Sequence, residues 1–159
     1  MGTGEATGVG IHYCLCPLSA KRLALLEEDP ELVHELTEDA VPDMLDLGPS
    51  GFALDGILLF AGRSSAVRDA VFAQTGRVLG EPADSMRVHT AERVLEVHEA
   101  LSALPADVVE RHYEDARKAI PTLERGPASV ARFTELFERL REVYANAAES
   151  GHGMLTFLV

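Results

Sequence analysis

The chain has no tryptophan, only two cysteines, and no apolar run near the ~20 residues that a membrane-spanning helix needs. The expectation is a protein without a membrane span. Cys14 and Cys16 stand too close along the chain to bridge each other, which fits a reducing compartment. The opening residues, MGTGEATGVG, lack the basic start and apolar core of a secretory signal. Together these absences predict a cytoplasmic protein. No Gly-x-Ser-x-Gly, His-Glu-x-x-His or phosphate-binding loop occurs, and Gly2, Gly4 and Gly8 have the wrong spacing for a dinucleotide loop. Basic residues are also missing from one long stretch. Between Glu27 and Asp46 there is no lysine or arginine at all.

That stretch holds nine carboxylates, and it carries most of a net charge of −12. The rest of the chain is near balance, with 17 acidic and 14 basic residues. Such a field repels a phosphate backbone, which argues against nucleic acid. It would steer a basic protein partner instead. The six carboxylates expected to make contact are Glu27, Glu28, Glu35, Glu38, Asp39 and Asp43, because Leu32, Val33 and Leu36 account for the buried face of their helix.

At 159 residues, 47% apolar and 25% charged, the chain is long enough to bury a core without metal or disulfides. One domain over residues 9–159 is expected, after a Gly-rich, mobile stretch at 1–8. Val9 to Cys16 alternates, with Val9, Ile11, Tyr13 and Leu15 on one face and His12, Cys14 and Cys16 on the other, which predicts a strand. Ser19 caps a short helix carrying Leu23 and Leu26, and Asp29-Pro30 opens another. Asp43 onward predicts a loop and then a buried helix over Phe52–Ala61. Ser64 caps a helix through Val67, Val71 and Phe72 that stops near Gly76. Arg77–Leu79 and Met86–Val88 are minor strands at most.

Thr90 caps a helix whose apolar face is Val94, Leu95, Val97, Leu101 and Leu104. Pro105 interrupts it, and a helix restarts through Val108, Val109, His112 and Tyr113. From near Ala128, a spacing of three and four through Phe133, Phe137, Leu140 and Tyr144 predicts a long helix, stopped by Gly151. Met154 to Val159 has strand composition and is expected to share a sheet with the first strand.

Several residues could carry chemistry. His12, Cys14 and Cys16 share a strand face, but alternate positions are about 6–7 Å apart, which suits no zinc knuckle, and no metal or other cofactor is expected. Glu31 and His34 have di-iron spacing without the second Glu-x-x-His such sites require. His98 lies on an apolar stripe, and Asp115 follows His112 by three residues, the arrangement of a weak general-base pair.

Some of these segments also resemble a known family. Tyr13-Cys14-Leu15-Cys16-Pro17-Leu18-Ser19 with Leu23, Leu26 and Asp29-Pro30, then Val78-Leu79-Gly80-Glu81-Pro82, Ala119-Ile120-Pro121 and the closing Phe133–Val159, resemble the YfbM-like family of small bacterial proteins. Leu54-Asp55-Gly56-Ile57-Leu58-Leu59-Phe60 departs from that family's Trp-His-rich helix, and the loop from Ala83 to His89 lacks its aromatic, Gly-rich segment. The resemblance implies a helix-rich α/β fold with one small mixed sheet, including the N- and C-terminal strands, packed by helices. It implies no activity.

Two functional readings follow. The first is a non-catalytic binding protein that uses the acidic stretch. The second is a small hydrolase or transferase assembled from His98, His112 and Asp115 with Cys14 or Cys16. Neither the oligomeric state nor a substrate is legible in these residues.

Overall fold

In a computed structural model of the chain, the described residues are 12–38, 43–61, 64–80 and 86–158. The expected mobile stretch, Val9 and Ile11 of the first strand, Asp39, the Glu81-Pro82 turn and Val159 all lie outside them.

Strand β1 runs over Tyr13–Leu18 and pairs antiparallel with β5, Gly153–Leu158, through six residues from Tyr13↔Leu158 to Leu18↔Gly153. The two expected strands therefore do share a sheet. β1 ends two residues beyond the expected Cys16, and Pro17 lies inside it. Strand β2, Leu45–Asp46, was read as loop; it pairs only with Cys14 and Leu15. On that side Pro17 meets no ladder, and a missing N–H is tolerated there. The remaining strands, β3 (Arg77–Leu79) and β4 (Met86–His89), form an antiparallel pair, and β4 adds to β5.

The order is β2-β1-β5-β4-β3. Every described pairing is antiparallel, where the resemblance implied a mixed sheet. The two segments read as minor strands are structural, because β4 lies inside the sheet and is buried at Met86, Val88 and His89.

Seven α-helices complete the described residues. They are α1 (Ala20–Glu28), α2 (Val33–Glu38), α3 (Gly51–Ala61), α4 (Ser65–Phe72), α5 (Ala91–Ser102), α6 (Val108–Ala119) and α7 (Pro127–Glu149). Ser19, Ser64 and Thr90 each accept the backbone N–H three residues on, as their positions before apolar helices predict. Asp29 caps a 3₁₀ turn over Pro30–Leu32 that leads into α2. Gly151, at φ 67°, ends α7 where the sequence places its stop.

The sheet separates two cores. Side chains alternate along a strand, so Leu15, Leu45 and Met154 face α3 to α7 and join their large cluster. Cys16, Leu18, Leu79, Val88 and Leu155 face the other way, under Leu23 and Leu26 of α1. Gly153 sits where α1 and β4 leave no room for a side chain. A Cβ there would meet the Leu23 side chain and lie 2.5 Å from the His89 carbonyl oxygen.

Two helical faces differ from their sequence reading. α3 is buried at Leu54, Ile57 and Leu58 but exposes Phe52, Leu59 and Phe60, because α4, α6 and α7 cover only part of it. Leu95 is exposed as well, since α5 turns Val94, Val97 and Leu101 toward α7 and leaves Leu95 outside that stripe.

Candidate functional site

A carboxylate on the buried face of α4 organises the densest polar cluster among the described residues. Ala66, Val67, Ala70 and Val71 bury that face, and Asp69 lies on it with no solvent exposure. The chain leaves α4 through Ala73, which adopts a left-handed φ of 50°. This fold-back lets Thr75 donate its N–H to Asp69 Oδ1 at 2.9 Å and its hydroxyl to Oδ2 at 2.5 Å. Arg93, in the first turn of α5, reaches Oδ2 with Nε at 3.0 Å and Nη2 at 2.7 Å. Its guanidinium also touches Ser65 and Glu96. Behind them the buried Tyr144 of α7 donates its hydroxyl to the Ala70 carbonyl at 2.7 Å.

His89, the last residue of β4, closes the cluster. Its Nε2 is 3.6 Å from Asp69 Oδ2 and has no hydrogen-bond partner among the described residues. Burial pushes its pKa down and outweighs the attraction of Asp69; the Arg93 charge adds to the depression. Burial opposes charge on Asp69 too, but its bonds from Thr75 and Arg93 win and hold its pKa below the usual carboxylate range. The result is an anionic Asp69 beside a neutral His89, enclosed by α4, α5 and the sheet. Such a pair has the composition of a base and its orienting acid, and both side chains are almost fully buried.

Sequence reasoning missed this cluster. The available signals were an aspartate at helical spacing among Ala66, Val67 and Ala70, and a histidine directly before the Thr90 cap. A second buried carboxyl, Asp55 on α3, makes no hydrogen bond among the described residues. Burial pushes it up to about 6, against a smaller pull from Arg68.

The predicted site residues are dispersed. Cys14 and Cys16 are buried and free, and burial raises their thiols to about 11 and about 12. Both are neutral thiols at pH 7, unlike a catalytic thiolate. His12 pairs its Nδ1 with Asp46 at 3.1 Å. His98 on α5 and His112 on α6 are half-buried, and Asp115 is exposed. No hydrogen bond or ion pair among the described residues joins the three.

The cysteines point to the opposite side of the sheet from α5 and α6, so the expected His-Asp-Cys site does not assemble. The sheet itself stands between its parts. Glu31 and His34 are both exposed, on successive turns. Among the described residues no group of three or more histidine, cysteine or acidic residues is placed to hold a metal. No described helix is long and apolar enough to cross a membrane.

The acidic stretch divides into two sets. Glu27 pairs with Arg77 at 2.5 Å, Asp29 caps the 3₁₀ turn, and Asp46 holds His12 and the Gly48 N–H. Glu28, Glu31, Glu35, Glu38 and Asp43 are exposed and make no side-chain hydrogen bond or ion pair among the described residues. Asp39 lies outside them.

The fold is thus a helix-rich α/β architecture in which one sheet separates a large core from a small one. The sequence pattern of the domain of unknown function DUF1877 matches residues 9–157, and the chain belongs to that family. The solved structure of YfbM, a protein of unknown function from Escherichia coli, shares the fold with a TM-score of 0.71 at 14% identity. The match covers 94% of this chain and 99% of YfbM. The YfbM-like resemblance read from the sequence is therefore correct. Among curated proteins, none matches the chain.

Proposed function

We propose that this protein acts by binding a basic protein partner through the acidic surface of α1, α2 and the segment leading to β2. The observation that carries the reading is the exposure of Glu28, Glu35, Glu38 and Asp43, with no cation among the described residues paired to them. Glu31 adds a fifth such charge. Glu27 contributes through its pair with Arg77, and Asp39 falls within the same run. Like charges held this close repel each other, and a cationic surface relieves that repulsion while accelerating encounter. The same field disfavours nucleic acid. Two free, buried thiols suit a cytoplasmic setting.

The test replaces Glu28, Glu35 and Glu38 with Gln and Asp43 with Asn, then compares captured partners with those of the parent protein at low and high salt. The reading requires partners that the parent loses at high salt and that the variant loses at both. An unchanged partner list, with unchanged salt dependence, would reduce the acidic stretch to a hydrated surface.

A further inference from the structure

Where α4 meets the outer ends of β1, β4 and β5, the described residues border a half-open pocket of about 280 Å³. This is just below the ~300–1,000 Å³ typical of small-ligand pockets. Its walls are mainly apolar, with Tyr13, Val71, Phe72, Met86, Phe157 and Leu158 among them. The Tyr13 and Phe72 rings meet edge to face, with centroids 5.0 Å apart, and form a fixed aromatic corner.

Two polar groups stand out against these walls. Arg87 and Thr156 are directly opposed across the β4–β5 ladder, and both line the cavity. Thr156 is 5% exposed, and its hydroxyl has no hydrogen-bond partner among the described residues. The hydroxyl is open to the pocket, where it can donate a hydrogen bond to a ligand. Arg87 donates Nη1 to the Gln74 carbonyl at 2.8 Å, which tethers one side of the guanidinium. No carboxylate among the described residues pairs with it. In a chain of net charge −12, the only formal charge among the described lining residues is therefore positive.

We propose that this cavity binds a small monocarboxylate with an apolar tail. The carboxylate accepts hydrogen bonds from Arg87 and the Thr156 hydroxyl, and the tail lies against Tyr13, Phe72 and Leu158. One cation matches one negative charge. The pocket's volume suits a short tail. This inference is independent of the acidic surface, since none of its residues lies in that stretch.

The test is calorimetric titration of the full chain with octanoate and with its uncharged counterpart octanol. Octanoate should bind at least about tenfold more tightly than octanol, the worth of a charge-assisted hydrogen bond beyond apolar burial. Arg87→Gln should abolish that preference while octanol binding persists. Thr156→Val, nearly the same shape, should weaken octanoate several-fold and leave the melting temperature close to that of the parent. Absence of octanoate binding to the parent, equal affinity for the two probes, or octanoate binding unchanged in a folded Arg87→Gln variant would each overturn the proposal.

Discussion

Arg93 donates both Nε and Nη2 to a single carboxylate oxygen of Asp69, at 3.0 and 2.7 Å, while the Thr75 hydroxyl meets that same oxygen from α4's own side. The Asp69 side chain is 1% exposed and that of Arg93 20%, so this is a mostly buried ion pair linking two helices. Removing one partner leaves the other charge stranded. Arg93→Met should cost about 3 kcal/mol and lower the melting temperature by roughly 6–12 °C. Asp69→Leu combined with Arg93→Met should cost less than the sum of the single changes, measured by chemical denaturation as a double-mutant cycle.

His89 predicts a response to acid. Its folded pKa lies below its ordinary 6.5, so below that pH the unfolded chain takes up a proton that the fold refuses. The stability that neutral His89 contributes is full above pH 6.5 and declines as pH falls toward the folded value. Asp69, with its pKa held below 3.8, adds a second loss at lower pH. Denaturation midpoints between pH 7 and 5 should show the first decline, and His89→Asn should flatten it.

Asp55 works in the opposite sense. Its folded pKa of about 6 lies above its ordinary 3.8, so its contribution is full below pH 3.8 and is lost as pH rises through about 6. At pH 7 a charged Asp55 therefore destabilises the fold. Asp55→Asn should stabilise the protein there by about 2 kcal/mol, the roughly 3 kcal/mol of a two-unit shift at about 1.4 kcal/mol per unit reduced by partial solvent screening. That gain should vanish near pH 4 in the same denaturation series.

Strand β5 sits between β1 and β4, so deleting Met154 to Val159 removes the partner of both. The truncated chain should not fold in soluble form, and a cooperative melt near the full-length temperature would contradict this. A milder probe is Gly153→Ala. Its new methyl would press on the His89 carbonyl and should cost about 1–3 kcal/mol.

Much of this architecture was legible wherever one signal dominated. Ser19, Ser64 and Thr90 each precede an apolar helix, and each proved to be its cap. The spacing from Phe133 to Tyr144 set α7, and the apolar ends gave the pairing of β1 with β5. What stayed hidden depends on contacts distant in sequence. Val78 and Arg87 cannot announce a sheet alone, because β3 and β4 are too short to carry a period and gain their strand from each other and from β5. Phe52 and Phe60 look like core until the incomplete cover over α3 is known. Asp69 reads as an ordinary surface acid of an amphipathic helix until Thr75 folds back and Arg93 arrives from 24 residues away. Thr156 gains its meaning only from Arg87 beside it on another strand.

The pairing of Cys14 with Phe157 imposes an order on folding. A sheet whose second strand is its first in sequence, and whose third is its last, has no centre until about 140 residues of chain are available to close it. Helices α1 to α7 can form locally, but neither core has a floor before β5 inserts, because both rest on opposite faces of that strand. During synthesis the thiol-bearing face of β1 can meet α1 directly after it, whereas the Leu15 face waits for α7, and insertion of β5 is the step that makes the two halves one cooperative structure.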